Sequence, residues 1–292
     1  MQTRIDNIVK WIRTQVPEGG KAVLGISGGK DSTIAAALCV RALGAENVVG
    51  VMMPNGVQND IDDSHKVCEL LGIISLEVNI EEAYEGIIDN IAIALDENST
   101  RLKNGFWTVR GNGMIRTNLP ARLRMSTLYA VAALYPNSRV VNTCNYSEDY
   151  VGYSTKYGDA AGDFSPLGGL TVREVLAIGD ALGLPHDLVH KTPSDGMCGK
   201  TDEDNLGFTY EQLDNYIDGN LMAVPEEVRK KIAHLHKVTR HKYHPIPTYG
   251  IYGEGENIDT QEEKEEREKI AVLLNNGMAA AMGLHFLPME ED

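Results

Sequence analysis

The chain has 292 residues, of which 42% are hydrophobic and 24% are charged, which is typical of a globular protein. Its formal net charge is −15, so it has no basic field for a polyanion, and we expect no nucleic-acid partner. No apolar stretch approaches the roughly 20 residues that span a bilayer, so we expect a cytoplasmic protein without a membrane partner. Four cysteines lie far apart without metal-ligand spacing, and we expect reduced thiols: Cys39, Cys68, Cys144 and Cys198.

Helical and strand patterns alternate along the first half of the chain. Ile5, Ile8, Val9 and Ile12 have helical spacing, which predicts an amphipathic helix at the N-terminus. Continuously apolar runs predict four strands, at 21–27, 47–54, 74–80 and 138–145. Helices are predicted between them, near 31–43 and 61–71, ended by Gly44 and Gly72, and near 81–95 and 118–134. This order predicts an α/β fold with a doubly wound, mostly parallel sheet and helices on both faces.

The second half of the chain is less regular and is predicted to cover the first. Helices are predicted near 171–182, 209–218 and 225–237, and a charged helix over 260–284. We expect one domain, 1–292, with a core at about 20–190 and a helical cap with C-terminal helices at about 191–292. Two long segments without periodicity, 98–114 and 193–207, are either active-site lids or surface loops.

The stretch "GISGGKDS", residues 25–32, lies between the first strand and its helix. Its spacing differs from that of a P-loop, and the carboxylate of Asp31 would repel a phosphate unless Mg²⁺ lay between them. Gly28 and Gly29 allow close approach of the backbone, and Ser27 and Ser32 offer hydroxyls for a pyrophosphate. The alternative is that Asp31 or Ser32 only caps the helix. In a parallel sheet this loop should meet the segments that follow the second and fourth strands.

"SGGKDS" resembles the SGGxDS signature of the ATP pyrophosphatases, whose fold is that of the adenine nucleotide alpha hydrolases. From about residue 20 to 245 the chain resembles the ammonia-dependent NAD synthetases. "MPNGVQNDIDD" and "TDEDNLGFTYEQLDNYIDG" are similar to two of their motifs. The resemblance implies a ligase that adenylylates deamido-NAD with ATP and then forms NAD, AMP and pyrophosphate with ammonia, as a homodimer.

The resemblance also implies site residues. ATP would be bound by the loop residues Gly25, Ile26, Ser27, Gly28, Gly29, Lys30, Asp31 and Ser32, by Thr143 in "NTCNYSED" and by Ser194 in "HKTPSDGM". Asp31 and Glu148 would bind Mg²⁺. Deamido-NAD would be bound by Arg122 in "NLPARLRM", Lys156 and Asp163 in "TKYGDAAGD", and His241 and Lys242 in "RHKYHP". No protein nucleophile is required, and Asp159 is the candidate general base.

The chain departs from the family pattern at several positions. Met52 replaces an arginine that often precedes the second strand-end motif, and Val172 replaces an ATP-binding lysine, with Arg173 beside it. Cys144 and Asn145 replace an Asp-His pair. Two alternatives remain: another ATP pyrophosphatase that amidates or thiolates a nucleotide, or a non-catalytic ATP-binding module. Relatives that use glutamine carry a separate amidase domain, whereas nearly all of this chain is assigned to the synthetase core and cap. We therefore expect free ammonia as the nitrogen source.

Overall fold

A computed structural model describes residues 1–58, 60–98, 109–191 and 201–247. Helix α1 (Gln2–Gln15) begins the chain. Its buried residues Ile5, Val9 and Ile12 pack into the main hydrophobic core, as their spacing predicts.

The core of the fold is a four-stranded parallel sheet. Its strands are β1 (Ala22–Gly25), β2 (Val48–Met52), β3 (Ile74–Glu77) and β4 (Arg139–Val140), in the order β3-β2-β1-β4. Val23 pairs with Val49 on one side and with Val140 on the other. The crossovers contain α2 (Lys30–Leu43), α3 (Ile61–Leu71), α4 (Glu81–Asn98) and α5 (Gly113–Ala132). The parallel α/β prediction is therefore confirmed.

Helices α2 and α3 end where their glycines predict. Gly44 has a φ of 88°, and Gly72 is left-handed with a φ of 63°, conformations that glycine adopts without steric cost. Helix α5 begins at Gly113, earlier than predicted, because the side chain of Asn112 accepts a hydrogen bond from the Ile115 amide at 3.1 Å.

Strand β4 is shorter than predicted because the chain turns from the sheet towards a polar site. The Val141 amide still donates to the Val23 carbonyl, and the Asn142 amide then donates to the Phe164 carbonyl. A short helix, α6 (Tyr146–Val151), follows where the sequence pattern indicated only a strand-end loop.

Five helices follow α6 in the described part of the chain, and the first two of them pack against α2. They are α7 (Val172–Ala181), α8 (His186–Val189), α9 (Asp202–Leu206), α10 (Tyr210–Ile217) and α11 (Glu226–Thr239). A second hydrophobic cluster joins α6 to α10 and α11 through Tyr150, Leu213 and Ile232. These contacts pack α10 and α11 against α6, and the division of one domain into a core and a helical cap stays a prediction.

Helix α9 lies inside the segment 193–207 that the sequence pattern predicted as a loop. Several sequence predictions lie outside the described residues. They are most of the segment 193–207, with Ser194 and Cys198, residues 99–108 of the other predicted loop, and the helix predicted over 260–284. In the described part of the chain, no helix combines the length and the apolarity that crossing a membrane requires.

Candidate active site

A cavity of about 320 Å³ opens where β1 and β4 end. Loops that follow these two neighbouring strands form most of its wall, as the parallel topology predicts. Its lining residues are Ser27, Gly29, Asp31, Ser32, Thr143, Cys144, Glu148, Tyr153 and Asp159. Of the residues predicted to bind ATP, Gly25, Ile26, Gly28 and Lys30 do not line this cavity.

The loop after β2 was expected at the same site, but its described residues do not line the cavity, and the first turn of α3 lies against the glycine loop instead. A Cβ atom on Gly28 would lie 2.9 Å from Cβ of Asp63 and 3.0 Å from the Ser64 amide nitrogen. Gly28 also has a φ of 74°, so only glycine fits this position without strain.

The glycine loop holds its two serines towards each other. Oγ of Ser27 and Oγ of Ser32 lie 3.2 Å apart, and the Ser27 amide donates to Oγ of Ser32 at 3.3 Å. Gly29 is the N-cap of α2, and no side chain caps this helix. The alternative in which Asp31 or Ser32 only caps the helix is therefore wrong, and the first turn of α2 keeps amide donors for an anion.

Asp31 is held at both carboxylate oxygens. Nδ2 of Asn145 donates to Oδ1 at 3.0 Å, and Nζ of Lys30 donates to Oδ2 at 2.7 Å. Asn145, whose role the sequence left open, thus joins the end of β1 to α6.

Glu148 is fixed by a capping box at the start of α6. Its amide donates to Oδ1 of Asn145 at 3.0 Å, and its Oε2 accepts from the Asn145 amide at 3.3 Å. Burial, and next the negative charge of Asp31, raise the pKa of Glu148, while Lys30 opposes the shift. Two carboxylates that face one cavity therefore repel each other when no cation lies between them.

Lys30 is a buried cation directly behind this acidic pair. Its side chain is 6% exposed, and Nζ lies 5.5 Å from the centre of the Tyr210 ring in α10. Burial lowers the pKa of Lys30, but the charges of Asp31 and Glu148 outweigh burial and raise it to about 12. Lys30 is therefore charged at neutral pH.

Asp159 also lines the cavity. Its Oδ1 accepts from the Thr155 amide at 2.8 Å, and its carbonyl oxygen accepts from Nδ2 of Asn142 at 2.8 Å. Desolvation by the surrounding protein raises the pKa of this carboxyl, and the bond from Thr155 opposes that shift. Cys144 donates from Sγ to the same carbonyl at 3.3 Å, so it contributes to the wall as a buried thiol.

Four residues predicted to bind deamido-NAD form a connected row beside the cavity. Nε of Arg122 donates to the Lys156 carbonyl at 3.3 Å, and Nζ of Lys156 donates to the His241 carbonyl at 2.6 Å. Nζ of Lys242 donates to the carbonyls of Gly152 and Ser154, both at 2.6 Å. Burial lowers the pKa of Lys242, and Asp159 opposes this shift.

Asp163 is not part of this row. Its Oδ2 accepts from the Val140 amide at 2.7 Å, and its Oδ1 accepts from the Tyr129 hydroxyl at 3.3 Å. In this structure the carboxylate therefore stabilises the end of β4.

Two of the departures from the family pattern, Met52 and Val172, are buried hydrophobic residues in the structure. Met52 is 2% exposed and belongs to the main core. Val172 is 6% exposed and belongs to the second hydrophobic cluster. Arg173 donates to Asp218 at 2.9 Å and to Asn215 at 3.2 Å, so it does not replace the missing lysine at the cavity.

One further cation near the site was not singled out from the sequence. Nε of Arg124 donates to the Met53 carbonyl at 3.0 Å, just beyond β2. Burial lowers its pKa, and the charge of Asp159 opposes this. Its place two residues after Arg122 in "ARLRM" was the signal for it.

The donor set of the cavity suits a hard cation. Asp31 and Glu148 both offer carboxylate oxygens, and Mg²⁺ is held in proteins by one or two carboxylates together with substrate phosphates and water. Among the residues that the structure describes, no cluster of three or more His, Cys, Asp or Glu side chains forms a self-sufficient metal site. The residues therefore fit a Mg²⁺ ion that arrives with a nucleotide.

The chain is similar to known proteins along most of its length. The "NAD synthase" family matches residues 4–246. The NH(3)-dependent NAD(+) synthetase of Alkaliphilus metalliredigens is 39% identical over 249 residues, which cover 82% of this chain and 94% of that protein.

Two solved structures are also similar. The NMN synthetase of Francisella tularensis has a TM-score of 0.72 and 32% identity, over 86% of this chain and 98% of that chain. The NH3-dependent NAD synthetase of Campylobacter jejuni has a TM-score of 0.64 and 27% identity, over 85% and 97%. The chain belongs to the NAD synthase family.

Proposed function

We propose that this protein amidates deamido-NAD with ammonia, using ATP, to form NAD, AMP and pyrophosphate. One observation carries the proposal: an acidic pair, Asp31 and Glu148, lies beside a glycine loop and a helix N-terminus, next to a row of cations. Such a combination suits two anionic substrates whose phosphates and carboxylate must meet.

In this proposal ATP lies against the glycine loop. The hydroxyls of Ser27 and Ser32 and the free amides of the first turn of α2 bind phosphate oxygens. Asp31 and Glu148 hold Mg²⁺, which when bound neutralises charge on the phosphates. Thr143 lines the same cavity and offers a hydroxyl to the nucleotide.

Deamido-NAD lies along the cationic row, with Arg122, Lys156 and Lys242 as partners for its pyrophosphate and nicotinate carboxylate. Attack of that carboxylate on the α-phosphorus of ATP gives an acyl adenylate and releases pyrophosphate. Ammonia then attacks the acyl carbon, AMP leaves, and one proton must be removed from the nitrogen. Asp159, which lines the cavity, is the candidate base, because its raised pKa makes it a better proton acceptor than an ordinary carboxylate.

A homodimer is part of the proposal. Helices α4 and α5 contact each other, and they expose Ile87, Ile91 and Tyr129, each more than a third exposed. Apolar side chains of this kind are often covered by a partner subunit. Ile91→Glu should shift the protein from dimer to monomer in light scattering, whereas a wild-type protein that is already a monomer at micromolar concentration would remove this part of the proposal.

The activity is tested with purified protein, ATP, Mg²⁺, deamido-NAD and ammonium, and NAD and AMP are measured together. We expect equal amounts of both from wild type, and a loss of at least about 100-fold in Asp31→Asn or Glu148→Gln, in the range for loss of a charged catalytic partner. Asp62→Asn is the matched control, because this exposed carboxylate lies in the first turn of α3, outside the cavity. AMP without NAD, or no turnover by wild type, would reject the proposed function.

Nicotinate mononucleotide belongs in the same assay. The similar structure from Francisella tularensis is an NMN synthetase, so the smaller nucleotide is a second candidate substrate. A kcat/KM for it above that for deamido-NAD would assign the chain to the mononucleotide.

A further inference from the structure

The resemblance implies that Lys30, between the two glycines and Asp31 in "SGGKDS", binds ATP, yet Lys30 does not line the cavity. Lys30 is the first residue of α2, and its side chain is only 6% exposed. The ring of Tyr210 in α10 lies 5.5 Å from Nζ.

The charges around Lys30 are mainly negative. Nζ contacts Oδ2 of Asp31 at 2.7 Å, and Glu148 and Asp202 also act on it electrostatically. Asp202 lies in α9, where its carboxylate is near the hydroxyls of Tyr153 and Tyr210, at 3.2 and 3.5 Å. Lys30 thus places a positive charge in direct contact with one member of the acidic pair, from inside the protein.

We propose that Lys30 is a built-in counter-cation, which balances Asp31 and Glu148 in the nucleotide-free protein and thereby weakens the binding of a divalent metal alone. Lys30 is a positioning residue in this role, because it acts through the two carboxylates and does not line the cavity in which the nucleotide is proposed to bind. This inference rests on the proposed function, in which Asp31 and Glu148 hold the metal.

The sign of the effect follows from Coulomb's law. A fixed positive charge a few ångströms from a site repels any second cation, and burial strengthens the repulsion because water does not screen it. A metal that arrives with ATP brings phosphates of opposite charge, so Lys30 opposes it much less. Lys30 therefore favours binding of the metal–nucleotide complex over binding of the free metal ion.

The experiment measures binding of Mn²⁺ alone by electron paramagnetic resonance of the free ion, without nucleotide. Lys30→Met removes the charge and keeps the length of the side chain, and we expect it to bind Mn²⁺ about tenfold more tightly than wild type. Lys30→Arg keeps the charge and should stay within about threefold of wild type. Glu148→Gln on the Lys30→Met background should remove the gain.

Lys21→Met is the matched control. Nζ of Lys21 also lies over a tyrosine ring, 5.6 Å from the centre of Tyr135, and donates to the Glu46 carbonyl at 2.6 Å, remote from the cavity. Its loss should leave the affinity for Mn²⁺ unchanged.

The sign separates this proposal from a purely structural role, since a lysine that only supports packing would leave metal affinity equal or lower when removed. Equal or weaker Mn²⁺ binding by folded Lys30→Met would overturn the proposal. Lys30→Met and Lys30→Gln could both lack the circular dichroism spectrum of a folded protein. In that case added Mn²⁺ should restore the folded spectrum, because it replaces the missing positive charge. No restoration by Mn²⁺ would overturn the proposal as well.

The amidation assay on wild type keeps the two ideas apart. Tighter Mn²⁺ binding by Lys30→Met, together with no NAD formed by wild type, would reject the proposed function and support the counter-cation. Normal amidation by wild type, together with unchanged Mn²⁺ affinity in Lys30→Met, would support the proposed function and reject the counter-cation.

Discussion

Nδ2 of Asn145 donates a hydrogen bond of 3.0 Å to Oδ1 of Asp31, and this bond joins the N-cap of α6 to the first turn of α2. The same Asn145 side chain accepts from the Glu148 amide at 3.0 Å. The Asn145 side chain thus holds the Asp31 carboxylate and the backbone of Glu148, whose own carboxylate accepts from the Asn145 backbone amide. An amide can do this because it offers a donor and an acceptor at once.

Asn145→Ala should therefore harm both stability and activity. It removes a helix N-cap, worth about 1 kcal/mol, and a hydrogen bond to a charged group, worth about 1.5 to 3 kcal/mol. We expect urea denaturation to show a loss of about 2 to 4 kcal/mol in the free energy of unfolding, and kcat to fall at least about tenfold.

Asn112→Ala is the control for this variant. Asn112 caps α5 with the same geometry, accepting from the Ile115 amide at 3.1 Å, but it contacts no carboxylate of the site. It should lose only about 1 kcal/mol, the cost of a cap. Equal effects of the two variants on kcat would contradict the orienting role of Asn145.

Gly28→Ala should disable the glycine loop. The added Cβ would lie 2.9 Å from Cβ of Asp63, and the residue would keep an unfavourable φ of 74°. Gly183→Ala is the control, because Gly183 has a φ of 72° with nothing within 4 Å of its added Cβ. Strain alone should cost about 1 kcal/mol in Gly183→Ala. Gly28→Ala should cost more and raise the KM for ATP at least about tenfold, and an unchanged KM would show that the loop does not hold ATP.

Arg173→Ala should leave the KM for ATP within about twofold of wild type. Its guanidinium pairs with Asp218 at 2.9 Å on an exposed surface, and surface ion pairs contribute at most about 1 kcal/mol. Steady-state kinetics with varied ATP provide the check. A KM that rises tenfold would mean that Arg173 takes over the role of the lysine that Val172 replaces.

Local sequence signals located much of the fold. Gly44 and Gly72 marked the ends of α2 and α3 because only glycine adopts their conformations cheaply. The six-residue helix α6 was missed, since it is too short for a helical period to be visible. The spacing of Asn145 and Glu148, typical of a capping box, was the signal that could have found it.

The surroundings of Lys30 could not be read from the sequence. They depend on Tyr210 in the cap, which is far along the chain and meets α2 only when the second hydrophobic cluster packs. The same holds for Asp163, whose motif suggested a ligand but whose carboxylate bonds to the Val140 amide in the structure. A motif gives residue types at a site, whereas the direction of each side chain is decided by tertiary contacts.

The protein should use free ammonia and fail with glutamine as the nitrogen donor. Release of ammonia from glutamine by a thiol enzyme needs a cysteine whose pKa is lowered, so that the thiolate is available. Burial instead raises the pKa of Cys39 to about 12 and that of Cys68 to about 11, and it raises the pKa of Cys144 well above its ordinary value. Within the described part of the chain, these thiols are therefore protonated at neutral pH.

The test supplies glutamine freed of ammonium as the nitrogen donor and measures glutamate and NAD together. Ammonium chloride is the positive control, and Cys198→Ala checks the cysteine that lies outside the described residues. Ammonium should support turnover in both proteins, whereas formation of glutamate and NAD in equal amounts from glutamine would contradict the prediction.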